Sequence, residues 1–437
     1  TAFEEVDMPR NPKTKAPLND GSPKMYDWLC FNNDLFTEFH EYLVKGVKKY
    51  APNIPVTAKQ MTHLFNQDWG SYRESILHGT DFEDFADFSD IMGNDAWQCL
   101  DQNIPATRTH EKTMWYDMQR SYAEKPIYNA EDHVIYDGDT AYVPEHAMRV
   151  YTDLWQGAIH GRTASTIWVW EKTYSNSGDW RGNILNRPDC VQRVGKANLD
   201  MNRLAKEVTA FQNSKAQVGQ LYSNASRSYS LSNMSNQYNA YQNMMYNGQN
   251  VEIITEKTIK KIHDYKMLVL PDLTNVYPET LDEIETYVKN GGKVIIMGEN
   301  SLKKDTQNLD QNLEKVQYIL ENAVVIPTQN EAYTMITPKP GELLSKFRDA
   351  LKSANMLNVE VVDAKTNLPV SDIEWQTIDY NGKTLINICN FKFYNDKEIS
   401  IKINGEKCNN SKDLISLSDF NENIPLKSFS PMMLEIK

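Results

Sequence analysis

The sequence predicts an α/β protein built in three segments. Three observations predict it. Residues 1–215 alternate short β-like runs with helical ones, the pattern of parallel β/α architecture. Residues 216–340 carry Val/Ile/Leu-rich strands that do not alternate, as expected when helices cover both faces of a sheet. Residues 341–437 change to short alternating runs with Asn-Gly turns, which fits an antiparallel sandwich.

In the first segment, residues 1 to about 24 read as a surface loop punctuated by Pro9, Pro12, Pro17, Gly21 and Pro23. A helix follows from Tyr26 to Tyr50. Leu29, Phe36, Phe39, Leu43, Val47 and Tyr50 paint one stripe on it, read as core-facing. Strands are expected at Ile54–Ala58, Phe88–Gly93, Pro126–Ala130 and Ser165–Trp170, with helices near Glu111–Ala123, Pro144–His160 and Arg187–Phe211. Pro144 suits a first helical turn, where its missing N–H would be unpaired anyway. The acidic run Asp81, Glu83, Asp84 and Asp87 reads as a solvated helix face.

The middle segment opens with a strand at Gln217–Tyr222. A Ser/Asn-rich stretch, 223–237, reads as a flexible surface loop, and a helix runs from it to Met245. Strands Val251–Thr255, Met267–Leu270 and Lys293–Met297 and helix Pro278–Asn290 complete a doubly wound sheet of flavodoxin type. Gly291 is placed to end that helix. None of the five cysteines sits in a G-x-C-x-G elbow, so this segment reads as structural or oligomerising. The last segment begins with a helix, Leu343–Ala354, and continues with Thr384–Ile388, Glu398–Ile403 and Met432–Ile436 as strands.

Composition bounds the function. The chain has 437 residues, enough for two to four domains, and 46 basic against 59 acidic residues give a net charge of −13. An acidic surface disfavours a nucleic-acid partner. No apolar run is long enough to span a membrane. The cysteines, Cys30, Cys99, Cys190, Cys389 and Cys408, form neither a disulfide framework nor a CxxC metal site, and no histidine spacing suits a metal. No cofactor is expected. Sparse cysteines lean toward the cytoplasm without excluding secretion. The first residue is Thr1, so the N-terminus is read as processed or cut.

Parallel β/α folds put their sites at strand C-termini. The second strand ends in Asn94-Asp95, the third in Asn129-Ala130-Glu131-Asp132-His133, and the fourth in Trp168-Val169-Trp170-Glu171. Carboxylates and amides bind sugar hydroxyls, indoles cover the C–H faces of pyranoses, and a carboxylate can serve glycosyl transfer. The plainer readings stand beside these. Glu131 reads equally well as a member of a structural ion pair. Trp168 and Trp170 alternate onto one side of a strand and can be core residues. His133 reads as a hydrogen-bonded loop histidine.

The order of segments resembles the β-galactosidases of glycoside hydrolase family 42, retaining enzymes with a (β/α)8 barrel, a trimerisation domain and a short sandwich. Tyr26–Leu29 through Asn53–Thr57 resembles a helix and strand of the barrel's second half. Ile127–Glu131 resembles the seventh strand, Thr166–Trp170 the eighth, and Leu199–Leu204 the entry to the trimerisation domain. The resemblance implies that residues 1–215 are the C-terminal half of a (β/α)8 TIM barrel. It implies Glu131 as nucleophile, Asn94, Asp95 and Asn129 beside the sugar, Trp168 or Trp170 as its floor, and Glu171 bonding a hydroxyl or serving as second choice for nucleophile. It also implies a homotrimer.

One departure is large. The family's acid/base is the Glu of an Asn-Glu pair on the fourth strand, and the only such pairs here, Asn330-Glu331 and Asn421-Glu422, lie outside the barrel segment. The expectation is therefore a piece of a cleaved enzyme, or one subunit of a split one, whose partner brings strands one to four. The alternative is a non-catalytic, oligomerising sugar-binding or scaffold protein.

Overall fold

The computed structural model describes residues 8–15, 21–61, 80–96, 110–135, 143–170, 183–230, 232–328, 340–392 and 394–436. The chain begins with helix α1 (Pro23–Tyr50), strand β1 (Thr57–Met61), α2 (Phe85–Phe88) and β2 (Ile91–Asp95). It continues with α3 (His110–Tyr122), β3 (Ile127–His133), α4 (Glu145–Ile159), β4 (Arg162–Trp168), α5 (Pro188–Arg203) and α6 (Ala205–Gln212). The four strands form one sheet in the order β1-β2-β3-β4, so sequential strands are neighbours, as in a (β/α) barrel. Among the described residues, β1 and β4 are its open edges.

Next come β5 (Val218–Tyr222), α7 (Asn224–Tyr229), α8 (Asn233–Tyr246), β6 (Val251–Thr255), a 3₁₀ stretch (Glu256–Asp264), β7 (Met267–Pro271), α9 (Pro278–Lys289), β8 (Lys293–Met297), α10 (Leu313–Glu321) and β9 (Val324–Ile326). Their sheet has the order β6-β5-β7-β8-β9, the flavodoxin-type order expected. β5 and β7 are buried throughout; β7 is an unbroken apolar run, whereas β5 carries Gln220, whose amide donates to Gln237 Oε1 at 2.7 Å.

After α11 (Pro340–Ser353) the chain is all β: β10 (Val359–Asp363), β11 (Ile373–Tyr380), β12 (Lys383–Asn390), β13 (Lys397–Ile403), β14 (Glu406–Lys407), β15 (Ser411–Asp413), β16 (Asp419–Phe420), β17 (Ile424–Leu426) and β18 (Met432–Ile436). One sheet is β10-β13-β14 with β17 beside β13, and the other is β11-β12-β18-β15-β16. Asn381-Gly382 joins β11 to β12 with both residues at positive φ, 52° and 77°, the two-residue turn that Asn-Gly favours. Ile386, Ile388, Ile399, Ile401 and Leu434 fill the space between these strands.

The chain divides into two compact units. One comprises residues 1–92, 219–237 and 253–333. In it, Ser22 caps α1 by accepting from Met25 N at 3.3 Å. The apolar stripe of α1 does not face a core as expected. Leu29 is 5% exposed, but Phe39 is 53%, Leu43 46% and Tyr50 83% exposed. Periodicity reports that a helix has an apolar face, not what covers it. The first strand starts later than expected, at Thr57. Pro52 and Pro55 cannot donate to a ladder, and the N–H of Val56 is taken by the Asp90 carboxylate at 2.8 Å.

The stretch 223–237 is not a surface loop in its described residues but the buried start of two helices. Ser223 caps α7 through Ser226 N at 3.1 Å. Asn233 donates to the carbonyls of Pro271 and Asp272, and Gln237 donates to Leu221 O at 2.9 Å. Polar side chains can be buried when each finds a partner, and composition alone does not reveal the partner. The acidic run is also not simply solvated, since Lys257 bridges Asp81 (3.0 Å) and Asp84.

The other unit comprises residues 93–218, 238–252 and 334–437. Its centre is α4, buried along almost its whole length. Val150, Leu154 and Trp155 pack in one cluster with Cys190 and Val194 of α5, Phe211 of α6, and Ile378, Leu385 and Met433 of the sandwich. The predicted helix 187–211 breaks at Leu204 into α5 and α6.

A polar ladder ties α4 to the sandwich. Trp155 Nε1 donates to Asn387 (2.8 Å), Asn387 donates to Gln156 (2.9 Å), and Gln156 donates to Glu374 (2.8 Å). His160 sits between Asp117 (2.9 Å) and Glu374 (2.7 Å). Burial opposes its charge, but the two carboxylates prevail and its pKa rises from 6.5 to about 10. A folded pKa above the unfolded one gives stability that is complete below pH 6.5, declines above it, and is lost as pH passes about 10. Urea denaturation at pH 6, 8 and 9.5 is expected to show falling stability, and His160→Gln to flatten that fall. An unchanged slope in the variant refutes the assignment.

Candidate active site

The C-terminal ends of β2, β3 and β4 carry the predicted residues, and the structure brings several together. β3 and β4 pair in parallel, with Asn129 opposite Ser165 and Asp132 opposite Ile167. Two residues, Ala130 and Glu131, therefore face one on β4. This is a β-bulge, which re-aims a side chain. The Glu131 side chain is 23% exposed, whereas its neighbour Asp132 is fully buried.

His133, the last residue of β3, holds Nε2 3.5 Å from Glu131 Oε1 and 3.7 Å from Asp95 Oδ1. Its ring stacks on Trp168 with centroids 5.7 Å apart. Trp168 and Trp170 are 41% and 48% exposed, so neither is a core tryptophan. β4 ends at Trp168, and Trp170 N turns back to Ile167 O at 3.1 Å. Strand alternation therefore does not relate the two indoles. Glu171 lies outside the described residues.

The amides stand behind this surface. Asn94 is fully buried, donates to Gln119 Oε1 at 2.7 Å and accepts from Ala96 N at 3.0 Å. Asn129 is also fully buried, donates to Ala96 O (2.7 Å) and Tyr116 Oη (2.9 Å), and accepts from Glu131 N at 3.2 Å. Its amide thus fixes the backbone that carries Glu131.

Sequence reading missed two features. His133 ends β3 rather than lying in a loop, and its imidazole stands beside Glu131 and Asp95. Beneath the bulge lies a buried charge cluster. Lys112 of α3 bonds Asp132 and both oxygens of Asp153 (2.8 and 2.7 Å), and Arg162 bonds Asp132 at 2.6 Å. Ser165 also donates to Asp132. Gly157 makes room for this arrangement, since a Cβ there would meet the Arg162 guanidinium at 2.8 Å. Burial would raise the Asp132 pKa, but Lys112 and Arg162 hold it below the usual carboxylate range. Burial leaves Asp153 raised. The nearest sequence signal was Asp132 beside Glu131, pointing to the opposite face of a strand.

The site thus offers a partly exposed carboxylate at a strand end, a second carboxylate, an imidazole within 3.7 Å of both, and two exposed indoles. Ligand atoms of Asp95, Glu131 and His133 lie within 4.8 Å of one another, close enough to hold a cation, and that is the sole such group among the described residues. Among those residues no helix is long and apolar enough to cross a membrane.

Known proteins resemble this chain in sequence pattern and in fold. The sequence model of a family described as β-galactosidase (glycoside hydrolase family 42) matches residues 1–205. That of the β-galactosidase trimerisation domain matches residues 212–312. No curated protein matches. Among solved structures, a family 42 exo-carrageenase from Bacteroides ovatus superposes with a TM-score of 0.78 at 22% identity, covering 100% of this chain and 59% of that one. A family 42 β-galactosidase from G. stearothermophilus gives 0.73 at 16% identity, covering 100% and 71%. A β-galactosidase from the Antarctic haloarchaeon Halorubrum lacusprofundi gives 0.65 at 12% identity, covering 99% and 71%. At these identities the structures show the fold. This chain spans 59% of the exo-carrageenase's length.

Proposed function

Since the chain belongs to the β-galactosidase family, glycoside hydrolase family 42, we propose that it is the nucleophile-bearing part of a retaining β-glycosidase acting on β-galactosides. The observation that carries this reading is the partly exposed carboxylate of Glu131 on the β3 bulge, beside the exposed indole of Trp168 on the adjacent strand.

In the proposed reaction Glu131 attacks the anomeric carbon and the glycosidic C–O bond breaks. The leaving oxygen takes a proton from a carboxylic acid on the opposite side. Water then attacks the glycosyl ester, that same residue takes the water proton, and Glu131 is released. Retention requires the two carboxyls about 5–5.5 Å apart. No Asn-Glu pair in residues 1–215 can supply the acid, so it comes from a partner segment or chain carrying barrel strands one to four. Trp168 floors the sugar, Asp95 bonds a hydroxyl and Asn129 orients Glu131. Trp170 flanks the sugar. The trimerisation-domain match supports a homotrimer.

The test is covalent trapping. The 437-residue chain, complemented with a half-barrel carrying the acid/base, is incubated with an activated 2-deoxy-2-fluoro-β-galactoside. One fluorogalactosyl group on the peptide containing Glu131 is expected, and a label elsewhere refutes the assignment. The neighbour named an exo-carrageenase adds carrageenan oligosaccharides to the substrate panel. Sugar binding without label or turnover would instead favour the non-catalytic binder.

The exposed stripe of α1 supports the partner, as do the open edges β1 and β4. Leu43→Asp is expected to leave the thermal midpoint of the chain nearly unchanged, because Leu43 is 46% exposed, while weakening half-barrel capture at least tenfold. Equal capture by variant and parent refutes that face.

A further inference from the structure

A cavity of about 450 Å³ lies in the unit that holds the doubly wound sheet, far from any role in the glycosidase reading. Its size falls within the roughly 300–1,000 Å³ of small-molecule sites. Its place is also informative. In the order β6-β5-β7-β8-β9 the chain reverses direction of winding between β5 and β7. Open α/β sheets bind ligands outside the carboxyl ends of strands at such a switch point. The cavity is lined from there: by Asn224 and Arg227 after β5, Glu256 and Lys257 after β6, and Tyr277 and Glu279 after β7.

The lining chemistry selects the ligand. Asp34, Asp81, Asp84, Glu256 and Glu279 are set against only Lys257 and Arg227. Lys257 is committed to Asp81 and Asp84. Arg227 donates to Tyr222 Oη at 2.8 Å. A phosphate or nucleotide would meet excess negative charge. Glu256 Oε1 is buried with no hydrogen-bond partner among the described residues, an arrangement costly enough to ask for a donor. Burial pushes the Glu256 carboxyl up to about 7, with Asp81 and Glu83 adding repulsion. Leu29 and Ile259 give part of the wall an apolar surface suited to methylenes.

We propose that this cavity binds a small organic cation bearing a primary ammonium group, of the size of an aliphatic diamine or an amino sugar. The ammonium donates to the Glu256 carboxylate, and Glu279 and Asp34 hold the remaining positive charge.

The experiment is calorimetric titration of the 437-residue chain with 1,4-diaminobutane, galactosamine and galactose, repeated on Glu256→Gln and Glu279→Gln. The expected result is saturable binding of the diamine or the amino sugar, with galactose at least tenfold weaker. Each Gln variant should weaken the cation at least tenfold. Glu279→Gln guards against misfolding of the buried variant. Three results overturn the proposal: no binding of either cation at millimolar concentration, galactose binding as tightly as galactosamine, or cation binding unchanged in both folded variants.

Discussion

Glu131→Gln in the complemented enzyme is expected to lower kcat/KM for an aryl β-galactoside by roughly 10⁴-fold or more, since the step that forms the intermediate is removed. The amide keeps the volume and the polar contacts of the acid but cannot attack the anomeric carbon. The variant should therefore still bind galactosides, and the loss should lie in kcat. Glu131→Gly gives a second readout. With room beside the sugar, azide can attack in place of the carboxylate and yield the α-galactosyl azide. Substitution of an acid/base residue would instead give the β-azide. An active Glu131→Gln enzyme would move the nucleophile elsewhere, with Glu171, the second choice from the sequence, tested next.

The strength of this assignment rests on how the backbone presents Glu131. In regular pairing the residues of β3 would simply alternate. The bulge at Ala130–Glu131 breaks the alternation, so that Glu131 is partly exposed while Asp132 is locked below. Asn129 bonds Glu131 N and is itself held by Ala96 and Tyr116. A carboxylate on such a support loses little freedom when substrate binds.

Much of the fold was legible because it is written in short-range pattern. The apolar runs of β7 and β8, the Asn381-Gly382 turn and the Pro-started α9 each carry a local reason for their form. The strand ends that hold Asn94, Asp95, Asn129 and Glu131 were legible for the same reason. The bulge was not, because it depends on the register between two strands. Nor was the Lys112–Asp132–Asp153–Arg162 cluster, whose members come from α3, β3, α4 and β4 and meet only after folding. His160 reads as one more helix-terminal histidine until Glu374, 214 positions away, closes on it. The stripe of α1 was read correctly as apolar and wrongly as covered. The buried Ser/Asn stretch failed the other way, since its partners are backbone carbonyls of β5 and the end of β7.

Lys112→Met should be the most damaging substitution for stability. Lys112 is almost wholly buried and compensates two buried carboxylates, with Arg162 as the other cation. Removing one partner of a buried charge network costs about 3–5 kcal/mol, because the charges left behind are neither hydrated nor paired. Against the roughly 5–15 kcal/mol that holds an ordinary domain together, that is a large fraction. Methionine keeps the length and apolar stem of lysine, so the loss reports charge more than cavity. The sign with pH follows from Asp153, whose pKa burial already raises even with Lys112 present. Without Lys112 it rises further. A carboxyl raised in the folded state costs stability above its folded pKa and nothing below its unfolded one. The gap between parent and variant should therefore be widest near neutral pH and narrow as pH falls toward about 4, the range of a free Asp. Urea denaturation of both proteins at pH 7.5, 6 and 4.5 measures it. A gap that stays constant would mean that lost packing, not an uncompensated carboxylate, is what the substitution exposes. Because the cluster anchors Asp132 directly beside Glu131, the same variant should lose activity in the complemented enzyme even at temperatures where it remains folded.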